Sequence, residues 1–407
     1  MSLTSAAVVA VVALLSPLAV KLSGLRLPDI VLQIILGILI GPQVLGWAHA
    51  DMPVRVLAVV GLGFLLLLSG LEIDFDRLRG RVLRLTSASF ALSFALAVIV
   101  GLVLSRAALV RSPLLIAVIL SATSLGIILP VLKDAGQVET PFGQVVVAGA
   151  SIAEVVPIVL LSLLFSERAA GIGAQLTLLA AFLGFVLAVG LLIVGLERSR
   201  RISRALVALQ DTTAEIRIRG AVALLMIFAA LATAFGLEAI LGAFLAGATL
   251  KLLDRDQTMT HSLFRTKLQA VGFGAFVPFF FVSTGLELDV RSLVTSPSTL
   301  VRVPVFLAAL LIVRAVPAVL YASLASRRDQ VVAAGLLQAT SLSIPIVAGG
   351  IGVNLGLVRP ANYVALVAAG LLSVVIFPLA ALPRLAARSS PAATDDRPLA
   401  PPVRAEE

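Results

Sequence analysis

The sequence predicts an all-α polytopic membrane protein of thirteen transmembrane helices, arranged as two inverted repeats with crossing broken helices. Three observations carry this expectation. Hydrophobic residues make up 60% of the chain and charged residues only 13%, where a soluble domain carries roughly 25% charge. The apolar residues fall in runs near the roughly 20 residues that cross a bilayer. Short polar motifs also recur in the same order in the two halves of the chain.

The apolar runs lie at 4–23, 28–47, 53–71, 83–106, 113–133, 142–166, 172–195, 218–236, 237–252, 268–286, 299–325, 328–349 and 361–384. No basic stretch precedes the first, so it is expected to be a membrane helix and not a cleaved signal. Arg and Lys concentrate after odd-numbered runs, as at Arg77, Arg79, Arg81 and Arg84, or Arg198, Arg200, Arg201 and Arg204. Loops after even-numbered runs hold isolated residues such as Arg55 and Arg168. The bias sets the N-terminus outside and the C-terminus in the cytoplasm of a cell (inner) membrane. Residues 1–384 form one membrane domain, with repeat one over about 1–167, a linker helix at 172–195 and repeat two over about 218–384. Residues 196–219 are expected to run along the membrane surface. Residues 385–407, rich in Pro, Ala and charge, are expected to be a disordered cytoplasmic tail.

Composition removes several classes of function. The chain has no cysteine and only His49 and His261, which excludes thiolate chemistry and argues against a resident metal site. The net charge of +9 is spread over short loops and not gathered in a basic domain, so no nucleic-acid partner is expected. Neither a phosphate-binding Gly-Lys loop nor an ATPase motif occurs, and no cofactor is expected.

The repeats set the topology. Gly70-Leu71-Glu72-Ile73-Asp74 returns as Gly285-Leu286-Glu287-Leu288-Asp289, and Ala122-Thr123-Ser124-Leu125 as Ala339-Thr340-Ser341-Leu342. Leu36-Gly37 matches Leu241-Gly242, and Gly149 with Pro157 matches Gly370 with Pro378. Each pair lies seven runs apart, an odd number, so the halves cross the membrane in opposite senses. Secondary carriers use this inverted plan and place their site where the repeats meet.

Two charges sit mid-run: Glu154 in 142–166 and Arg314 in 299–325. A charge at the bilayer centre costs about 2.5–3.5 kcal/mol on insertion scales and is functional by default. The structural alternative is a Glu154–Arg314 salt bridge that only fixes packing. Pro157 cannot donate a hydrogen bond and so releases the Ala153 carbonyl beside the carboxylate. Ser151 shares the helix face of Glu154. Carboxylate, hydroxyl and freed carbonyl together suit a hard monovalent cation.

Ser121, Thr123 and Ser124 with Pro130, and Thr340, Ser341 and Pro345 with Gly349-Gly350, supply the hydroxyls and punctuation of broken membrane helices. Broken helices of opposite sense would cross and aim half-helix dipoles at one midplane site, making Thr123 and Ser124 candidate ligands. The alternative is that small polar residues only allow close helix packing. Gln33, Gln338 and Glu238 are expected to bond between helices, and Asp29, Glu72, Asp74, Glu287 and Asp289 to cap or orient helix ends.

At these residues the chain resembles the cation:proton antiporter family, in its Kef-type sodium/hydrogen exchanger branch, from about Leu25 to Leu382. The most specific stretches are Leu27-Pro28 through Gly41-Pro42, Leu68-Ser69-Gly70-Leu71-Glu72-Ile73-Asp74, Leu120-Ser121-Ala122-Thr123-Ser124, Leu241 through Gly247, and Pro278 through Gly285. The resemblance implies a homodimer and an elevator-like core moving against a dimerisation scaffold. It places Glu154 at the ion-binding member of an acidic pair and Arg314 at the basic position facing it, as counter-charge. Ala153 stands where the first acid of the pair would be, Glu154 replaces the usual Asp, and Gln33 replaces a common Glu. The nucleotide-binding domain of full Kef systems is missing.

The expected activity is exchange of Na+ or K+ for H+, with both competing for Glu154 and one-for-one stoichiometry. A sodium-coupled organic anion symporter shares this architecture but would need basic or aromatic ligands. A transport-inactive membrane sensor or partner subunit is the rival suggested by Ala153.

Overall fold

Local chemistry starts several helices in the same way. Asp51, Ser112 and Thr140 each cap a helix whose first turn contains a proline, where the missing N–H is no loss. Asp51 Oδ1 accepts from Val54 N at 3.2 Å, Ser112 Oγ from Leu115 N at 3.3 Å, and Thr140 Oγ1 from Gly143 N at 3.0 Å. Each bond satisfies one amide that the helix itself leaves unpaired.

The computed structural model describes residues 3–23, 28–73, 79–165, 172–197, 215–253, 262–291, 297–325 and 327–386. The expected surface linker at 196–219 and the tail at 385–407 fall mostly outside the described residues. Among these residues every regular element is helical. In chain order they are α1 Thr4–Ser23, α2 Asp29–Ile40, α3 Met52–Leu71, α4 Gly80–Arg106, α5 Pro113–Ser121, α6 Leu125–Asp134, α7 Pro141–Leu164 and α8 Ile172–Glu197. There follow α9 Ile216–Ala234, α10 Ala239–Leu253, and α11 Ser262–Val271, which continues through a wide turn at Gly272–Phe276 into α12 Val277–Glu287. The last are α13 Pro297–Ala315, a 3-10 helix at Pro317–Ser323, α14 Arg328–Gln338, α15 Ser343–Asn354 and α16 Pro360–Ala386. Among the described residues ten spans are long and apolar enough to cross a membrane, and three shorter apolar helices lie at Asp29–Ile40, Leu176–Leu192 and Ala239–Leu252. Each of the thirteen runs read from sequence therefore has a helical counterpart.

The packing divides into two bundles. One contains α1, α2, α3, α9, α10, α11 and α12, and the other α4, α5, α6, α7, α13, α14, α15 and α16, with α8 touching α7, α9 and α10. In the first bundle glycine permits near contact of backbones. A Cβ on Gly70 of α3 would lie 2.1 Å from Phe244 O of α10, and one on Gly285 of α12 would lie 2.2 Å from Ile34 O of α2. Phe64 of α3 stacks on Phe276 with centroids 5.1 Å apart.

The broken helices cross in the second bundle. α5 ends at Ser121 and α6 begins at Leu125; α14 ends at Gln338 and α15 begins at Ser343. Ser124 N donates to Thr340 O at 2.9 Å, and Leu342 N donates to Ser124 Oγ at 3.1 Å. Each break thus supplies the hydrogen-bond partners that the other lacks, as non-helical backbone away from water requires. Pro345, in the first turn of α15, has no N–H to offer the Ser341 carbonyl, and Ser373 Oγ donates to that carbonyl at 3.2 Å instead.

Candidate ion-binding site

Glu154 lies on the long helix α7 with 5% of its surface exposed. Its Oε2 accepts from Leu125 N, the first residue of α6, at 3.3 Å. The carboxylate therefore meets the positive end of a half-helix, where an anion is favoured. Ser69 of α3 gives it a side-chain hydrogen bond, and Glu72 is the charged group whose field acts on it.

Glu154, Ser69 and Glu72 line one cavity at the seam between the bundles, with about 450 Å³ of empty space counting its open mouth. The first bundle contributes Ile30, Leu65, Leu68, Ser69, Glu72, Phe273 and Phe281. The second contributes Ser124, Gly126, Ile127, Glu154, Leu342 and Ser343. Among the described residues the lining offers two carboxylates and three hydroxyls, and no Lys or Arg. Oxygen donors with carboxylates among them suit a hard monovalent cation or a proton.

Arg314 takes a different position from the one expected. It is 3% exposed and donates from Nε to Thr123 Oγ1 at 2.9 Å, from Nη1 to Ser93 Oγ at 3.0 Å and from Nη2 to Gln338 Oε1 at 2.6 Å. Nε also reaches Gln338 O at 3.3 Å, the last carbonyl of α14. Among the described residues it makes no salt bridge with Glu154. The two charges instead sit on opposite dipole ends of the crossing, Glu154 at an N-terminus and Arg314 at a C-terminus.

The other expected ligands are mostly occupied elsewhere. Thr123 Oγ1 donates to Gln338 O at 2.5 Å while accepting from Arg314, and it does not line the cavity. The Ala153 carbonyl released by Pro157 accepts from Thr123 N at 3.1 Å, so it ties α7 to the break. Ser151 Oγ donates to Val147 O at 3.0 Å and Ser121 Oγ to Val118 O at 3.0 Å. Ser341 is buried with no hydrogen-bond partner for its hydroxyl, while its amide donates to Ser373 Oγ at 3.1 Å. Of the hydroxyls singled out in the sequence, Ser124 alone shares the cavity with Glu154.

Gln338 bonds between helices as expected: beyond its contacts with Arg314, its Nε2 donates to Val146 O of α7 at 2.8 Å. Gln33 Nε2 instead donates within its own helix, to Asp29 Oδ2 at 2.6 Å. Ser69 and Glu72 are the cavity residues that sequence reasoning passed over, Glu72 having been taken for a helix-end residue. Their signal was present in the repeat, because Ser69-Gly70-Leu71-Glu72 returns as Thr284-Gly285-Leu286-Glu287.

Two bundles joined by crossed half-helices, with a buried carboxylate at their seam, define a multi-pass membrane protein of the inverted-repeat carrier kind. The chain belongs to the sodium/hydrogen exchanger family: residues 10–385 match the family model described as "Sodium/hydrogen exchanger, transmembrane". It is 29% identical over 393 residues to YjbQ of Bacillus subtilis, a match that covers 93% of this chain and 62% of YjbQ, so the chain spans less than two thirds of that relative. It is 27% identical to a protein of Enterococcus hirae named Na(+)/H(+) antiporter, over 87% of this chain and 90% of that one. Its fold is similar to the structure of the sodium proton antiporter MjNhaP1 from Methanocaldococcus jannaschii at pH 8, with a TM-score of 0.61 and 18% identity over 94% of this chain and 97% of that one.

Proposed function

We propose that this chain exchanges a monovalent cation, Na+ or K+, for protons across a cell membrane, with cation and proton competing for Glu154. The observation that carries this is the placement of a 95%-buried carboxylate on a cavity that both bundles line and that shows no cationic side chain among the described residues. Protonation of Glu154 releases the cation, and cation binding releases the proton. Either event neutralises the carboxylate, which lowers the cost of carrying it across the bilayer. With one acid on the moving core at this site, the exchange is one-for-one and electroneutral.

The names of the E. hirae protein and of MjNhaP1 support Na+ as the cation. The second bundle is the moving core and the first the scaffold, through which two copies of the chain form a homodimer. The domain limits, the outside N-terminus and the Kef-type branch rest on the sequence features given above. An organic anion would meet Glu72 and Glu154 and find no positive side chain in the cavity, which disfavours the symporter.

Reconstitution into proteoliposomes tests the assignment. Internal pH should rise or fall on imposing a Na+ or K+ gradient, and Glu154→Gln should abolish the response. Wild-type-like exchange by Glu154→Gln would sink the role of Glu154; exchange driven by voltage alone would sink electroneutrality. A wild-type chain with no cation-dependent proton flux would be the inactive sensor or partner subunit.

A further inference from the structure

Glu72 and Glu287 are repeat counterparts, and α3 shows where each stands. Arg55, in the first turn of α3, lies 3.8 Å from Glu287, whereas Glu72 directly follows the last residue of the same helix. The seventeen residue steps from Arg55 to Glu72 span about 25 Å at about 1.5 Å per residue. The two carboxylates therefore mark opposite mouths of the first bundle.

Their surroundings differ. Glu72 lines the cavity with Glu154, where its carboxylate Oε2 lies 3.8 Å from the Cβ position of Gly126 at the start of α6. Among the described residues the charge of Arg265 on α11 also acts on it. Glu287 is 53% exposed, and Arg55 stands beside it. One mouth carboxylate is thus engaged with the deep acid and its counterpart is not. An inverted repeat has a second arrangement in which the two halves exchange these roles.

We propose that Glu72 and Glu287 are alternating partners of Glu154, each completing the cation site with it in one of the two access states. The inference rests on Glu154 being the exchange site. A cation held in this cavity sits between one carboxylate on the moving core and one on the scaffold. When the core moves, Glu154 leaves Glu72 and comes to Glu287, so each face of the membrane has its own second carboxylate. This supplies, from the scaffold, the second acid that Ala153 does not provide.

The test is the apparent KM for the exchanged cation, measured separately in everted and right-side-out vesicles. Glu72→Gln should raise KM from one face by about tenfold, equivalent to about 1.4 kcal/mol, and from the other by less than twofold. Glu287→Gln should show the same pattern with the faces reversed. Glu72→Asp and Glu287→Asp, which keep the charge and guard against misfolding of the amides, should give smaller shifts on the same faces. Shifts that are equal on both faces, or absent, overturn the proposal. If Glu154→Gln still exchanges, the exchange-site assignment has failed; if it is dead while the mouth variants are blind to side, only the alternation has failed.

Discussion

Arg314 Nε donates to Thr123 Oγ1 at 2.9 Å, and this bond places the arginine on the crossing of the broken helices instead of on Glu154. The guanidinium fork reaches Ser93, Thr123 and Gln338 at once, on three different elements. A lysine ammonium cannot reproduce that planar set of donors. Arg314→Lys is therefore expected to lower stability by about 1.5–3 kcal/mol, the range for hydrogen bonds to a charged group. Thermal melting of the purified protein in detergent measures this. An unchanged melting temperature accompanied by a shifted pH profile of exchange would instead mark Arg314 as the direct counter-charge of Glu154.

Ser124 joins the crossing to the cavity. Its hydroxyl accepts the Leu342 amide at 3.1 Å and also lines the space beside Glu154. Ser124→Ala leaves a buried amide without its partner, which costs about 1–3 kcal/mol. It also removes an oxygen from the cavity, so a raised cation KM should accompany the lower melting temperature. Ser151→Ala, whose hydroxyl bonds only within its own helix, should leave KM unchanged. Equal KM shifts in the two variants would contradict the assignment of Ser124.

Much of this architecture was legible because membrane folds have a strict grammar. The thirteen runs, their inverted pairing and the two breaks all follow from apolar length and from repeated hydroxyl, glycine and proline positions. The site was legible at Glu154 because an isolated mid-membrane carboxylate has few structural explanations. Its partners were not, since pairing depends on which ends of the half-helices meet. Sequence offered Arg314 as the only opposite charge at that depth, and it could not show that the C-terminal end of α14 and Thr123 would engage it first. Glu72 was hidden for a different reason. A charge at the end of a run looks like an ordinary helix cap until the neighbouring bundle closes over it.

Gly70 and Gly247 hold α3 and α10 together. An added Cβ at Gly70 would lie 2.1 Å from Phe244 O, and one at Gly247 would lie 1.9 Å from Leu67 O. Both obstacles are backbone, so no rotamer change relieves them. Gly70→Ala and Gly247→Ala should each destabilise the protein by about 1–3 kcal/mol or more, the cost of overpacking a tight interface. Gly184→Ala, where nothing lies within 4 Å of the added carbon, should have no such effect. Yield of monodisperse protein and its melting temperature separate the two groups.

The cavity can be mapped directly, because the chain contains no cysteine and any introduced thiol is the sole target. Ile127 lines the cavity two residues after Leu125, whose amide donates to Glu154, whereas Leu115 in the first turn of α5 is fully buried. Ile127→Cys should react with a water-soluble thiol reagent, and Leu115→Cys should not. If the cavity is where the cation binds, saturating Na+ or K+ should slow labelling of Ile127→Cys severalfold. Replacing Glu154 by Gln in the same background should remove that protection. Labelling that is insensitive to the cation in the presence of Glu154 would place the binding site elsewhere in the seam.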